Sequence, residues 1–451
     1  MKNSSKNFIK KTAMLAVFLG LFLAGCGSAG YRHITVVEHV PYEVEVPIHT
    51  PSPMPSPIPI ATPLPTPSPT PEPTPTPEPS FADIWLEKLT VEEKIGQLIM
   101  PRLVWQTTAP CPEVTAWVAH YGFGGIILFG DNVYSIAQVQ AMSAALQAAS
   151  PYLPLFIAID EEGGRVSRVG RLFDWQIPAA YSILATIKCD CFGADNCEHR
   201  CVNFHAQANR EAARLAHETG QRLTTLGINM NFAPVADVWT NPANTVIGNR
   251  AFSRDPYAAA EMVATTIYGL QRENIFAVAK HFPGHGDTYE DSHFNLAFYP
   301  HDRARFDTVE AIPFIRAIEA GVDGIMVGHI STPQLRGSAP ILCWKQDAFE
   351  NGWLPATFSD FWLQDVLRGE MGFEGLIVTD ALDMRALTDH FTPEQIAVGA
   401  FLAGADILLM PTHPDRAFYA LLDAFREGLI TLERLEASVR RVLYAKADIL
   451  P

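Results

Sequence analysis

The sequence predicts an α/β fold, a single (β/α)8 TIM-type barrel over residues 81–451 that follows a disordered Pro-rich stalk. Two observations predict the barrel. Eight short apolar runs alternate with helix-like stretches, which is the pattern of βα units around a parallel sheet. Polar residues follow several of these runs directly, and in such a barrel the functional groups lie at the carboxyl ends of the strands.

The apolar runs have the length of buried strands. They are 96–100, 125–129, 155–159, 228–232, 275–279, 324–327, 375–378 and 406–410. Helix-like stretches lie between them, at 136–149, 209–226, 256–272, 309–320 and 393–403. Thr90 and Glu93 form the pattern of a capping box at an earlier helix start. A doubly wound open sheet is the alternative, but no glycine-rich phosphate loop follows the first run.

Polar residues cluster just after five of these runs. They are Asp160 to Arg165 after the third run, Asp237 after the fourth, Lys280 and His281 after the fifth, His329 after the sixth, and Asp380 after the seventh. The segment from Lys280 to His293 is the densest in such groups, and Gly284 and Gly286 interrupt regular structure within it. A polar surface turn would explain any one of these residues. Their number at one strand end favours a functional site.

Residues 1–25 are predicted to be a lipoprotein signal peptide. The stretch from Lys2 to Lys11 is basic, and residues 13–24 are apolar but too short to span a membrane comfortably. The sequence Leu23-Ala24-Gly25-Cys26 then resembles the lipobox of bacterial lipoproteins. That resemblance implies that Cys26 is lipidated and anchors the exported protein to the outer face of the bacterial cell membrane or to a periplasmic membrane face. An ordinary signal peptide is the alternative.

Residues 26–80 are predicted to be a linker between the lipid and the folded domain. Nearly every second residue from Pro51 to Pro79 is proline, spaced by Ser, Thr and Glu. Such a tract favours polyproline II and cannot pack a core. At about 3.1 Å per residue it can reach on the order of 90 Å.

Composition restricts the partners. The chain has 451 residues, of which 48% are hydrophobic, so a large core can form. Its formal net charge of -16 would repel nucleic acid and anionic lipid head groups, so the only membrane contact expected is through the N-terminal lipid. A neutral or locally guided substrate fits this charge better, and a monomer is expected.

A Cys-rich insertion is predicted at residues 185–205. It contains Cys189, Cys191, Cys197 and Cys201. Export favours two disulfide bridges, whose connectivity the spacing leaves open. A zinc site is the alternative, because four thiolates can hold that ion. The states of Cys111 and Cys343 also stay open.

Several linked motifs resemble glycoside hydrolase family 3, most closely its bacterial β-N-acetylglucosaminidase branch. They are Ile159-Asp160-Glu161-Glu162-Gly163-Gly164-Arg165-Val166, Gly248-Asn249-Arg250-Ala251-Phe252, the segment from Lys280 to Thr288, Asp291-Ser292-His293, and Val378-Thr379-Asp380-Ala381-Leu382. They occur in the family's order, and the resemblance covers residues 81–451. Linked motifs are far more specific than one short match.

The resemblance implies a retaining mechanism. Such an enzyme needs a carboxylate nucleophile and a proton donor for the leaving oxygen. Asp380 ends an apolar run and matches the nucleophile, while a structural helix cap is its alternative role. His293 matches the acid/base, and Asp291 matches the residue that orients it. Histidine titrates near neutral pH and can both give and take a proton. The alternative is that His285 or His281 transfers the proton.

The resemblance also implies a sugar-binding set and a substrate. Asp160, Arg168, Arg250, Lys280 and His281 match positions that bind the terminal sugar, without a metal or cofactor. The expected activity is that of a retaining exo-β-N-acetylglucosaminidase acting on peptidoglycan fragments or chitooligosaccharides. The alternatives are a family 3 β-glycosidase of another specificity, a β-N-acetylglucosaminide phosphorylase, or a non-catalytic sugar-binding lipoprotein.

Overall fold

Parallel strands surrounded by helices form the core of the folded region. The computed structural model describes residues 79–103, 112–186, 197–289, 295–335 and 354–448, without the side chains of 185–186, 197–204 and 448. The chain divides into two units, Met1–Thr74 and Pro75–Pro451. Nothing of the first unit is described, and the second contains every element named below.

The strands follow the predicted apolar runs closely. In chain order they are β1 (Ile99–Met100), β2 (Gly125–Leu128), β3 (Phe156–Ile159), β4 (Met230–Asn231), β5 (Phe276–Phe282), β6 (Ala297–Phe298), β7 (Gly324–Val327), β8 (Ile330–Ser331), β9 (Leu376–Thr379) and β10 (Leu408–Leu409). The predicted first run is wrong at its start, because Gly96 ends a helix instead of opening the strand. β6 and β8 were not predicted, since two-residue strands have no periodicity to detect.

Six of the strands form one parallel sheet in the order β2-β3-β4-β5-β7-β9. β1 pairs with β10, also in parallel. Isolated parallel bridges connect this pair to both edges of the sheet, between Arg102 and Ile127 and between Val378 and Ile407. The α/β prediction is therefore confirmed as a parallel sheet of the half-barrel type. Adjacent parallel strands must be joined by crossover connections, and helices supply these connections.

The strands are apolar because both of their faces are covered. Every residue of β2, β3, β7 and β9 is buried, and so are all seven residues of β5. Parallel strands between helices have this composition, since neither face meets water. Lys280 and His281 are the polar exceptions in β5, and they lie at its carboxyl end. Burial of two such groups requires partners, which the site provides.

The helices surround these strands. They are α1 (Phe81–Lys88), α2 (Val91–Gly96), α3 (Pro112–Tyr121), α4 (Ile136–Ala149), α5 (Ala180–Thr186), α6 (Cys197–Thr225), α7 (Pro256–Gln271), α8 (Arg303–Thr308), α9 (Ala311–Glu319), α10 (Arg385–Thr388), α11 (Pro393–Ala403), α12 (Pro414–Arg426) and α13 (Leu432–Asp448). The capping box predicted at α2 is confirmed, with the Thr90 hydroxyl accepting from the Glu93 N–H and the Glu93 carboxylate accepting from the Thr90 N–H. A π-helical segment covers Phe361–Glu370.

The predicted insertion overlaps a regular element. Helix α6 begins at Cys197, so 197–205 are helical and continue into the helix predicted at 209–226. Cys189 and Cys191 lie outside the described residues, as do Cys111 and Cys343, and the side chains of Cys197 and Cys201 are not described. The disulfide prediction therefore stays a prediction.

The predictions for the N-terminal region also fall outside the described residues. These are the signal peptide, Cys26 and the Pro-rich stalk. Within the described ranges, no helix has both the length and the apolar composition needed to cross a bilayer.

Candidate active site

One cleft lies at the carboxyl ends of the parallel strands and encloses about 340 Å³. It brings together most of the predicted site residues. Asp160, Arg168, Arg250, Lys280, His281 and Asp380 all line it, together with Glu162 and His285. His293 and Asp291 fall in residues 290–294, outside the described part of the chain.

Lys280 is the buried cation of the site. Its side chain is 2% exposed, and its Nζ lies 2.5 Å from Asp160 Oδ1 and 2.7 Å from Glu162 Oε1. Burial by itself would lower the pKa of Lys280, but the charges of Asp160 and Glu162 outweigh it and raise the pKa. The ammonium is therefore held in one place and stays charged.

Glu162 was not among the predicted site residues, yet it links Lys280 to Arg250. Its oxygens accept from Arg250 Nε and Nη2, each at 2.8 Å, and this bidentate geometry orients the guanidinium. Burial alone would raise the pKa of Glu162, but Lys280 and Arg250 hold that pKa well below its usual range. Arg250 ends the 3-10 turn Gly248–Arg250, which directs its side chain into the cleft.

Asp237 orients His281 and was also missing from the predicted set. His281 Nδ1 lies 2.7 Å from Asp237 Oδ2. The other carboxylate oxygen accepts from the backbone N–H of His285 at 2.6 Å and from that of His281 at 3.3 Å. The opposite ring nitrogen, His281 Nε2, is 3.3 Å from Arg250 Nη2. A buried carboxylate thus fixes both the ring and the backbone after β5.

His285 is one of the two alternatives for proton transfer, with His281. It is 1% exposed, and its Nδ1 lies 2.6 Å from the Thr288 hydroxyl. Burial is the main cause that lowers the pKa of His285 to about 4, against the opposing charge of Asp237. The ring is therefore neutral at neutral pH and is a poor proton reservoir there. Its contacts indicate that it supports the loop after β5.

Asp380 lies at the end of β9, as predicted. Its backbone N–H donates to the Val327 carbonyl at 2.9 Å, and its Oδ1 accepts from the Ala381 N–H at 2.7 Å. His329, completely buried, donates from Nε2 to the Ala381 carbonyl at 2.9 Å. The carboxylate is thus aimed by a rigid strand and by the peptide that follows it. His329 thus supports the peptide that follows Asp380 and is not among the residues that line the cleft.

A buried carboxylate shapes the loop that contains Arg168. Glu161 is 2% exposed and accepts from the Ser167 hydroxyl at 2.5 Å and from the N–H groups of Arg168 and Val169 at 2.5 and 2.8 Å. Burial raises the pKa of Glu161 despite these bonds. Gly163 allows the turn, since its φ is 92° and a Cβ there would lie 2.6 Å from Ile177. The loop thereby places the Arg168 guanidinium in the cleft.

The arrangement is suited to binding a polyhydroxylated ligand next to a fixed carboxylate. Charged hydrogen-bond donors and acceptors line the same cleft, and placed polar groups of this kind fix the orientation of a bound ligand. Asp380 lines the same cleft. In the described ranges, no three His, Cys, Asp or Glu side chains are grouped as they would be around a metal ion.

The chain matches one protein family over most of its length. The model of the glycosyl hydrolase family 3 N terminal domain matches residues 90–445. The chain is 35% identical over 357 residues to Beta-hexosaminidase A of Pseudoalteromonas piscicida, covering 76% of this chain and 56% of that protein. It is 35% identical over 320 residues to the Beta-hexosaminidase of Nitrosospira multiformis, covering 69% of this chain and 81% of that one.

Solved structures give the same likeness. A glycoside hydrolase family 3 beta-N-acetylglucosaminidase from Paenibacillus sp. is 34% identical with a TM-score of 0.69, over 80% of this chain and 63% of that one. A family 3 glycosyl hydrolase from Mycobacterium smegmatis is 27% identical with a TM-score of 0.66, over 80% and 98% of the two chains. The match spans little more than half the length of the Pseudoalteromonas relative and slightly less than two thirds of the Paenibacillus one.

Proposed function

Because the chain belongs to glycosyl hydrolase family 3, we propose that it is a retaining exo-β-N-acetylglucosaminidase. It releases terminal β-linked N-acetylglucosamine from peptidoglycan fragments or chitooligosaccharides through a covalent glycosyl-aspartate. The observation that supports this most is the placement of Asp380, a carboxylate fixed at a strand end in the cleft that Asp160, Lys280 and His281 line. The beta-hexosaminidase names of its relatives support the sugar.

The binding residues hold the terminal sugar. Asp160 accepts hydrogen bonds from hydroxyls, while Lys280 and Arg250 donate them. Their mutual ion pairs hold these groups in place before substrate arrives, so little ordering is required on binding. His281, oriented by Asp237, presents Nε2 on the same wall. Arg168 reaches the cleft from the loop after β3.

Asp380 attacks the anomeric carbon, and the leaving oxygen takes a proton from His293. The glycosyl-aspartate is then hydrolysed by a water molecule that gives its proton to the same imidazole. Asp291 orients the ring and stabilises its charged form. This assignment is supported by the motif Asp291-Ser292-His293 and by the low pKa of His285, which makes that one of the two alternative histidines a poor acid at neutral pH.

We also propose that the protein is exported, lipidated at Cys26 and held at a membrane face by the 26–80 linker. The lipobox-like sequence and the proline spacing support this. The eight strands that include β1 and β10 form one closed barrel, supported by the bridges on both edges of the sheet. The enzyme acts as a monomer.

The replacement Asp380→Asn tests the nucleophile. We expect kcat to fall by several orders of magnitude with an unchanged melting temperature, because an amide cannot form the glycosyl ester. The control is Asp423→Asn, which removes an exposed carboxylate on α12. Turnover of 4-nitrophenyl β-N-acetylglucosaminide is measured with and without phosphate. Near-normal kcat in folded Asp380→Asn would overturn the assignment, and N-acetylglucosamine 1-phosphate as product would identify a phosphorylase.

A further inference from the structure

We propose that Arg102 and Arg168 form a recognition site for an oxyanion carried by the ligand in the cleft. This inference rests on the proposed function and deepens it, because it names a substrate class. Both guanidinium groups approach the ring of Phe129, with their central carbons 5.0 and 5.7 Å from its centroid. All three residues line the same cleft as Asp160 and Asp380.

The position of Arg102 is set by the backbone around it. Residue 102 bridges Ile127, the Leu103 N–H donates to the Ile127 carbonyl at 3.1 Å, and the Ile127 N–H donates to the Pro101 carbonyl at 3.1 Å. These bonds attach the end of β1 to β2. The side chain therefore leaves a rigid part of the sheet, at the carboxyl end where functional groups lie.

Phe129 and Arg168 are held as firmly. The Phe129 N–H donates to Asn132 Oδ1 at 2.9 Å, and its ring packs partly against the core. The backbone of Arg168 is bound by the carboxylate of Glu161. Cation–π contact with this one ring favours the observed position of both guanidinium groups. The arrangement is therefore built before a ligand arrives.

The charges of this pair differ from those of the other cations in the cleft. Lys280 is neutralised by Asp160 and Glu162, and Arg250 by Glu162. Among the described residues, neither Arg102 nor Arg168 has a carboxylate oxygen within ion-pair distance of its guanidinium. The charge of Arg168 does act on Glu161, but the oxygens of that carboxylate are occupied by Ser167 and two backbone N–H groups.

Each of the two arginine side chains also contains a buried hydrogen-bond donor without a partner among the described residues. The Nε atoms of Arg102 and Arg168 are buried and have no hydrogen-bond partner among the described residues. A partly buried cation without a counterion is costly, and a ligand anion removes that cost. Guanidinium is the side chain best suited to a carboxylate or phosphate, because its N–H groups match two oxygens at once. The ligand class is thus a saccharide with an acidic substituent, or free phosphate bound beside the sugar.

Two matched disaccharides test the proposal. They are β-N-acetylglucosaminyl-(1→4)-glucose and β-N-acetylglucosaminyl-(1→4)-glucuronate. The two differ only in that a carboxylate replaces the hydroxymethyl group of the glucose unit. We expect wild-type enzyme to prefer the acidic one, with a preference that falls as ionic strength rises. Arg102→Gln should reduce kcat/KM for the acidic substrate about tenfold more than for the neutral one, the size of one charge-assisted hydrogen bond. Arg102→Lys should restore part of that difference.

Arg316→Gln is the control, because it removes an exposed, ion-paired guanidinium of α9 and should leave the preference unchanged. A parallel assay with inorganic phosphate distinguishes the two sources of the anion. Loss of phosphate inhibition or of N-acetylglucosamine 1-phosphate formation in Arg102→Gln would assign the site to free phosphate.

Equal losses on both disaccharides, with no change in the phosphate response, would overturn the proposal. If Arg102→Gln does not fold, the wild-type enzyme still decides. A wild-type preference at or below unity at low ionic strength, with no phosphate effect, would overturn it as well. The proposed function fails separately, if wild-type enzyme releases no N-acetylglucosamine from the neutral disaccharide.

Discussion

At the scale of single residues, the site is organised by carboxylates that never need to touch the reacting bond. Glu162 joins Lys280 to Arg250, and Asp237 holds His281. Each of these acids is almost fully buried, so its charge is stabilised only by the partners it orients. The groups proposed to bind the sugar are therefore parts of one network, and loss of one acid affects several of them.

Glu162→Gln should show this dependence. The neutral amide removes the negative charge that Lys280 and Arg250 share. Breaking a buried ion pair costs about 3–5 kcal/mol. We expect a lower free energy of unfolding by that order, measured by urea denaturation, and a raised KM. Glu394→Gln is the control, because it breaks an exposed pair with Arg416 and should cost less than about 1 kcal/mol. Equal effects of the two changes would contradict the role of Glu162.

The proposed acid/base gives a second residue-scale prediction. His293→Ala should reduce kcat/KM most for aryl N-acetylglucosaminides with poor leaving groups, because good leaving groups depart without a proton. Azide should restore turnover by attacking the glycosyl-enzyme directly. Asp291→Ala should show a weaker form of the same pattern. A uniform loss across leaving groups, without azide product, would mean that His293 is structural.

At the scale of elements, helix α13 brings an unusual group into the core. Lys446 is completely buried, with its Nζ 2.6 Å from Gln97 Oε1 and 5.4 Å from the centre of the Phe156 ring. Burial lowers the pKa of Lys446 from 10.5 to about 7. Docking of this helix against α1 and α2 is thus coupled to the release of a proton.

The stability of wild-type protein should therefore depend on pH through Lys446. The pKa is lower in the folded state than in the unfolded chain. Below about pH 7 both states carry the proton, and the cost of burying the cation is fully present. Between about pH 7 and 10.5 only the unfolded chain keeps it, so unfolding free energy should rise with pH by up to about 1.4 kcal/mol per unit.

The replacement Lys446→Met removes this contribution. Urea denaturation from pH 6 to 9.5 should show wild-type stability rising relative to the variant as pH increases. Lys88→Met, at an exposed position on α1, is the control and should follow the wild-type curve. Parallel curves for wild type and Lys446→Met would show that this lysine titrates normally.

At the scale of the whole molecule, the chain joins a folded domain of glycosyl hydrolase family 3 to a long N-terminal segment of different composition. The family match spans residues 90–445, so the proline tract lies outside it. Such a tract spaces a domain from its attachment point and adds no core. Attachment at Cys26 would place the proposed enzyme at a membrane face, close to the peptidoglycan fragments proposed as its substrate.

Cys26→Ala tests the attachment. In the native host, the variant should leave the membrane fraction and collect as soluble or unprocessed protein, while its specific activity on an aryl N-acetylglucosaminide stays at the wild-type level. Incorporation of a labelled fatty acid is the direct measurement. Unchanged labelling and fractionation would show that Cys26 is not the lipidated residue.

Much of the fold and part of the site could be predicted from sequence. Strands such as β3 and β9 are continuous apolar runs, and helices α4 and α11 have the bounds that spacing predicted. Asp380 and Lys280 could be assigned to the site because polar residues at the carboxyl ends of buried parallel strands are expected at the functional face of the sheet. Local pattern suffices wherever burial and period alone decide conformation.

Other features were decided only by tertiary structure. Of the three consecutive acids from Asp160 to Glu162, Glu161 supports a loop while the other two meet Lys280, and no local pattern distinguishes them.

The same holds for the contacts of Arg250 with Glu162, of His281 with Asp237, and of Arg102 and Arg168 with Phe129. Such pairs come from different strand ends and loops. They meet because parallel pairing brings all carboxyl ends to one edge, and loop geometry then decides which side chains touch. The sequence by itself determined where chemistry could occur, and the packing of strands determined which groups share it.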